Sequence, residues 1–160
     1  SAADAGAFVF VAGHNSQNAN TDGTGDQARI QPGRGCIANT TTARDLVYFG
    51  GQALRTLNVT TGAIVTIAND GNGGTEGAIP STGSVKVPED MHYAASLHRI
   101  YYSDPHIHRV CYLDLNEPMS IRFFVGDGTN AETDGTGTAA QVSYPVAITG
   151  DTADTTIFFA

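Results

Sequence analysis

The chain has no tryptophan, a single lysine (Lys86) and two cysteines, and only 15% of its residues are charged. Each scarcity excludes something. Two cysteines, Cys36 and Cys111, cannot define a disulfide framework. They fall at different places in the repeat described below, so a pairing between them is not expected. No apolar run approaches the about 18 residues that span a bilayer, so a membrane span is not expected. The formal net charge is −8, and the arginines at 29, 34, 44, 55, 99, 109 and 122 are scattered along the chain. An acidic surface without a basic cluster repels phosphate backbones, which argues against nucleic acid as a partner. No segment sustains a 3.6-residue apolar period, so helix is minor or absent.

Glycine and β-forming residues are plentiful. Nineteen glycines, with many Thr, Asn and Asp residues, predict frequent tight turns. Hydrophobic residues make up 41% of the chain, enough for a core. The sequence also repeats. Thr21-Asp22-Gly23-Thr24-Gly25 returns as Thr133-Asp134-Gly135-Thr136-Gly137, which is 112 positions, or two periods of 56, further on. Pro32, Pro88 and Pro145 mark the same place in successive units, and Leu54 and Leu57 return as Val110 and Leu113. A long fixed period is the mark of solenoids and propellers.

Aligned on the prolines, each unit predicts four strands. One type is Ala7–Ala12, matched by Ile64–Ala68 and Ile121–Val125. A polar, glycine-rich loop of about 20 residues follows each of these, long enough to suggest a binding surface. After each proline come Gly35–Ala38, Met91–Ala94 or Ala147–Thr149, then Leu46–Phe49, Ile100–Tyr102 or Ile157–Phe159, then Leu54–Val59 or Val110–Leu115. These are short β-branched and aromatic runs between turn residues. A single small sheet cannot bury both of its faces. Radial stacking of such sheets can, which makes the chain all-β and propeller-like, with a sandwich as the structural alternative. The expectation is one domain over 1–160 with units at roughly 13–69, 70–126 and 127–160, the last incomplete. That is about 2.75 four-stranded antiparallel blades, short of the 4–8 of a closed ring. Ring closure then calls for self-association or for further blades, the chain being a piece of a longer protein. Phe8–Val11 would act as a spare outer strand. Ser1 in place of a methionine predicts a trimmed or mature product.

The second unit carries Arg99-Ile100-Tyr101-Tyr102-Ser103-Asp104, a short turn, and His108-Arg109-Val110. In this it resembles the NHL-repeat β-propellers, whose pattern is leucine-tyrosine-valine-alanine-aspartate, a turn, and asparagine-histidine-arginine-isoleucine. Ile107 stands in place of the asparagine. The first unit lacks the aspartate and the His-Arg pair, having Phe49-Gly50-Gly51-Gln52-Ala53-Leu54 instead. In the second, Thr75-Glu76-Gly77-Ala78 replaces Asp-Gly-Thr-Gly. The resemblance implies blade architecture. It leaves function open, because such propellers include RNA binders, protein-binding scaffolds and a metal-dependent lyase class.

The functional expectation is a non-catalytic scaffold that binds a protein or small-molecule ligand through blade loops. The alternative is a metal-dependent enzyme of the lyase type, with ligands lining the channel. His92, Asp104, His106 and His108 are the candidate metal residues, for zinc or calcium, because alternate positions on an extended strand share a face. Structural roles are the competing explanation: His108 occupies the family's consensus histidine, and only His92 among the equivalent positions 36, 92 and 149 is a histidine. Asp127, Asn130, Glu132 and Asp134 form an acidic loop without EF-hand spacing. Gly23-Thr24-Gly25-Asp26-Gln27-Ala28 formally matches a dinucleotide fingerprint, as does its copy at 135–140, but a proline and a strand follow where a helix should. The two loops are therefore expected to share one backbone shape, with no helix starting at Gly25 or Gly137. Sequons at Asn39 and Asn58 agree with an extracellular or cell-surface location.

Overall fold

The computed structural model describes residues 10–13, 19–31, 35–37 (backbone), 46–69, 74–79 and 81–160. Among the described residues, three antiparallel sheets contain the strands. The first comprises β1 (Gly23–Thr24), β2 (Gly35–Ile37), β3 (Leu46–Phe49), β4 (Ala53–Asn58) and β5 (Ala63–Asn69), in the order β1-β5-β4-β3-β2. The second comprises β6 (Gly77–Ala78), β7 (Met91–Ala94), β8 (Arg99–Asp104), β9 (Arg109–Asp114) and β10 (Ser120–Val125), in the order β6-β10-β9-β8-β7. The third holds only β11 (Ile148–Gly150) and β12 (Ile157–Phe159). The fold is all-β, and its only helical pieces among the described residues are single 3-10 turns.

The strand positions follow the sequence pattern, and the two large sheets match in detail. Both carry the same bulge, which leaves Ile67 in one and Phe124 in the other out of the pairing register. The hairpin turns explain the histidines. A 3-10 turn at Ala95–Leu97 ends on His98, and one at Pro105–Ile107 ends on His108, each with φ of 52°. Histidine is among the few non-glycine residues that visit this left-handed region. The first sheet makes its equivalent hairpin with Gly51 at φ 134°.

Two features differ from the sequence expectation. The large sheets have five strands, not four, because a two-residue strand from the preceding loop pairs with the outermost strand. Gly23 sits opposite Ile64, and Gly77 opposite Ile121. Alternation of apolar residues cannot reveal a strand of two residues. The other difference is the strand expected at 7–12. Residues 7–9 lie outside the described ones, and Phe10–Ala12 are not in a strand.

Alternation divides the core between two layers. Tyr48 and Leu54 of the first sheet meet Ile100, Tyr102, Cys111, Leu113 and Ile121 of the second. On the opposite face of the second sheet, Tyr101 and Val110 meet Ile148 and Ile157 of the third. Alternation within the strands read from sequence calls for burial of Phe10, Val47, Leu57, Ile67, Ile100, Leu113, Phe124 and Ile157. Ile100 and Leu113 are buried, whereas Val47, Leu57, Ile67, Phe124 and Ile157 are half-buried. Phe10 is 65% exposed, because no strand among the described residues pairs beneath it. Val47 and Leu57 pair across strands on the face turned away from the second sheet, which accounts for their exposure.

Candidate binding surface

Three loops of one design precede the sheets. Each is closed by a reciprocal pair of backbone hydrogen bonds, between Thr21 and Arg29, Thr75 and Ser84, and Thr133 and Gln141. The first and third are near copies. Thr24 and Thr136 are extended, and Gly25 and Gly137 then take φ of 58° and 56°. Ala28 donates to the Gly25 carbonyl at 3.3 Å, and Ala140 to that of Gly137 at 3.2 Å. The chain enters both loops alike: the Gly13 N–H donates to Gly25 O at 3.0 Å, and that of Gly126 to Gly137 O at 3.2 Å. The shared shape agrees with the expectation. The expected absence of a helix start does not, since a three-residue 3-10 turn begins at both Gly25 and Gly137. The αL glycine followed by a small buried alanine drives this turn in both loops. It is too short to offer a phosphate-binding terminus.

A carboxylate in the first two loops fastens the outermost strand. Asp22 accepts the Thr66 N–H at 2.9 Å and the Thr66 hydroxyl at 2.8 Å, and Glu76 accepts the Phe123 N–H at 2.8 Å. Burial pushes the Asp22 carboxyl up, but the bonds from Thr66 and Arg55 outweigh it and hold the group below its usual range. Arg55, fully buried, adds a bond to Asp22 Oδ1 at 3.0 Å and one to the Arg29 carbonyl at 2.8 Å. The signal was present in sequence as Thr-acid-Gly at 21–23, 75–77 and 133–135. Its meaning was not, because the strand it fastens is about 45 residues away. The third acid, Asp134, is exposed and meets no hydrogen-bond partner among the described residues.

Several other acids and arginines among the described residues are similarly engaged. Asp104 is fully buried and accepts the Lys86 N–H at 2.9 Å and the Val87 N–H at 3.1 Å, tying the segment before Pro88 to the end of β8. Burial pushes its carboxyl up, against the pull of those N–H groups. Asp90 accepts from Ile148 N–H at 3.1 Å, and Asp154 from Ser96 N–H at 2.8 Å, joining the second and third sheets. None of these three roles was evident in the sequence. Arg109 donates to the Gly126 carbonyl at 2.6 Å and to that of Asp127, and stacks on Phe123 at 4.1 Å. Arg99 lies 4.4 Å over Tyr112.

The candidate metal residues are dispersed by this frame. His92 is half-buried on β7 against Gly150, with Nε2 3.5 Å from Asp154 Oδ1. Asp104 is spent on backbone donors, and His106 is exposed. His108 holds its left-handed turn, with its ring edge-on to Tyr144 at 4.7 Å. Among the described residues, no three His, Cys, Asp or Glu side chains gather as a metal site would require. In the acidic loop, Asp127 accepts from Thr129 N–H and Gln141, and Asn130 from the Ser143 hydroxyl. Cys111 is a free, buried thiol, and burial pushes it well above the usual thiol range. The Asn58 Oδ1 accepts the Thr60 and Thr61 N–H groups within its turn, and Asn39 lies outside the described residues.

Two adjoining hollows open beside the third sheet. One, of about 460 Å³, lies between the 132–142 loop, Val125 and Phe159. The other, of about 250 Å³, lies between Ala147–Thr149 and Phe158–Ala160 and is largely apolar. Among the described residues, no helix is long and apolar enough to cross a membrane. In comparison with known proteins, no family model matches the chain and no curated protein matches it in sequence.

Proposed function

We propose that this chain is part of a β-propeller of the NHL-repeat kind, and that it acts as a non-catalytic scaffold binding a protein or small ligand through its loops. The repeated five-stranded sheets and the adjacency of β2 to β7 and of β7 to β11 support a radial arrangement. Ring closure then takes further blades or a second copy. The observation that carries the binding role is the loop frame built twice. The frame of 21–29 and 133–141 is the same, but its exposed tips differ, Asp26 and Gln27 in one and Thr138 and Ala139 in the other. A rigid frame with changeable tips suits recognition.

Photocrosslinking from Gln27 and from Thr138, with exposed Val65 as the control position, tests this. A discrete adduct from either loop and none from Val65 is expected. Equal labelling from all three positions would overturn the loop reading. Elemental analysis addresses the lyase-type alternative: stoichiometric zinc or calcium that is lost on His92→Ala would favour an enzyme.

A further inference from the structure

We propose that the loop acids Asp22 and Glu76 guard the outer edges of the first two sheets, and that an edge so closed would otherwise pair with the same edge of a second copy of this chain. Both loops cover the outermost strand in two steps. The two-residue strand comes first, setting Gly23 opposite Ile64 and Gly77 opposite Ile121. Continued in that register, the ladder would bring Thr21 opposite Thr66 and Thr75 opposite Phe123. The carbonyls of Thr21 and Thr75 are turned elsewhere: they accept the Arg29 and Ser84 N–H groups of their own loops, at 2.9 and 3.1 Å. The side chain of the acid takes the vacated place. Asp22 accepts the Thr66 N–H at 2.9 Å, and Glu76 accepts that of Phe123 at 2.8 Å. A carboxylate thus stands in for the strand that stops short.

The strands covered in this way are of the kind that add to one another. Ala63–Ala68 has no charge, proline or glycine and is rich in β-branched residues, the composition of segments that stack edge to edge. A bare N–H on such an edge is a template for another chain. The cover scales with the hazard. In the first sheet Asp22 takes both the N–H and the hydroxyl of Thr66 and is backed by Arg55. The outermost strand of the second sheet carries a charge of its own, the exposed Arg122, and there Glu76 takes one N–H. Both acids are exposed, so neither fills the core. The occupant of an opened first edge is a second copy. An antiparallel strand pair is two-fold symmetric, and a segment without charge meets no repulsion from itself. This inference rests on the sheet edges and is independent of loop-tip binding.

A photocrosslinker at Val65, which is 50% exposed on β5, reports on this edge in the whole chain. With Asp22 in place, no adduct between copies should form through it. Asp22→Ala should raise the yield of a two-copy adduct about tenfold or more, with the captured segment mapping to residues 63–69. Adding Thr66→Pro, which removes the donor itself, should return the yield to that of the parent chain. Asp104→Ala loses a buried clamp away from this edge and should give no adduct, which separates an opened edge from a loosened fold. Glu76→Ala, with the crosslinker at Arg122, repeats the test at an exposed acid with a single bond, so the outcome stays readable should Asp22→Ala fail to fold. Equal yields with and without the acids, the same yield from Asp104→Ala, or a captured segment that maps elsewhere would overturn the proposal. So would a two-copy adduct through 63–69 while Asp22 is in place.

Discussion

The two faces of the second sheet are made from the same strands, and both are core, the one toward the third sheet around Tyr101 and Val110, but they differ toward the outer edge. Toward the first sheet, Cys111, Leu113 and Ile121 are inaccessible to water. Toward the third, Tyr112 and Phe124 are only half-buried, although aromatic packing with Tyr101 at 5.5 and 5.0 Å and the Arg99 stack give them partial cover. Sequence decides which residues share a face. The neighbouring sheet decides whether that face is core. Tyr112 has a polar hydroxyl and a stacked cation there, a composition that partial cover tolerates.

The widest separation between the faces should appear on truncation. Leu113→Ala is expected to destabilise by about 2–5 kcal/mol, and Tyr112→Ala by less than half of that, in urea unfolding. Equal losses would mean that the third-sheet face is covered in solution. Next comes the buried clamp at the end of β8. Asp104→Ala strands the N–H groups of Lys86 and Val87 and should cost about 1–3 kcal/mol, read from the same curves. A neutral result would show that water replaces the carboxylate. Smaller, and a direct comparison of the twin loops, are Gly25→Ala and Gly137→Ala. Each forces a side chain into the left-handed region and should cost about 1–2 kcal/mol, the two values agreeing closely. A large difference between them would break the equivalence of the loops.

The finest comparison is between the chain and its Asp22→Asn variant in acid. The Asp22 carboxyl is held below its usual range, so the folded state favours the ionised form. Its contribution is therefore present above the unfolded carboxyl pKa of about 3.9 and lost as pH falls through the lowered folded value. Asp22→Asn should flatten the acid limb of the stability profile. Thermal melts of the chain and of the variant between about pH 2 and pH 6 would show the contrast, and parallel limbs for the two would remove it.

Much of this architecture was legible in the sequence. The run Ile100-Tyr101-Tyr102 is continuously apolar and aromatic, as a strand buried on both faces should be, and His108 falls where a left-handed turn follows. The twin loops were legible because glycine marks the positive φ at Gly25 and Gly137. The two-residue strands at Gly23 and Gly77 were not, being shorter than any period. Phe10 was expected to be buried from its own apolar character, but burial depends on a neighbour that local sequence does not encode. The candidate site divided in the same way. The recurring Thr-acid-Gly was visible, but not the distant strands that Asp22 and Glu76 hold. His92 and Asp104 were identified for their chemistry, and the structure gives both a packing or clamping environment.

Those clamps have a further consequence for how such a chain can change over time. Asp22, Glu76, Asp90, Asp104 and Asp154 all grip a main-chain N–H. Every residue except proline supplies one. The gripped position is thus free to be Thr66 in one unit and Phe123 in another without loosening the hold. A framework fastened in this way keeps its geometry while its letters drift, and its units can part from each other, and from distant relatives, in everything but shape.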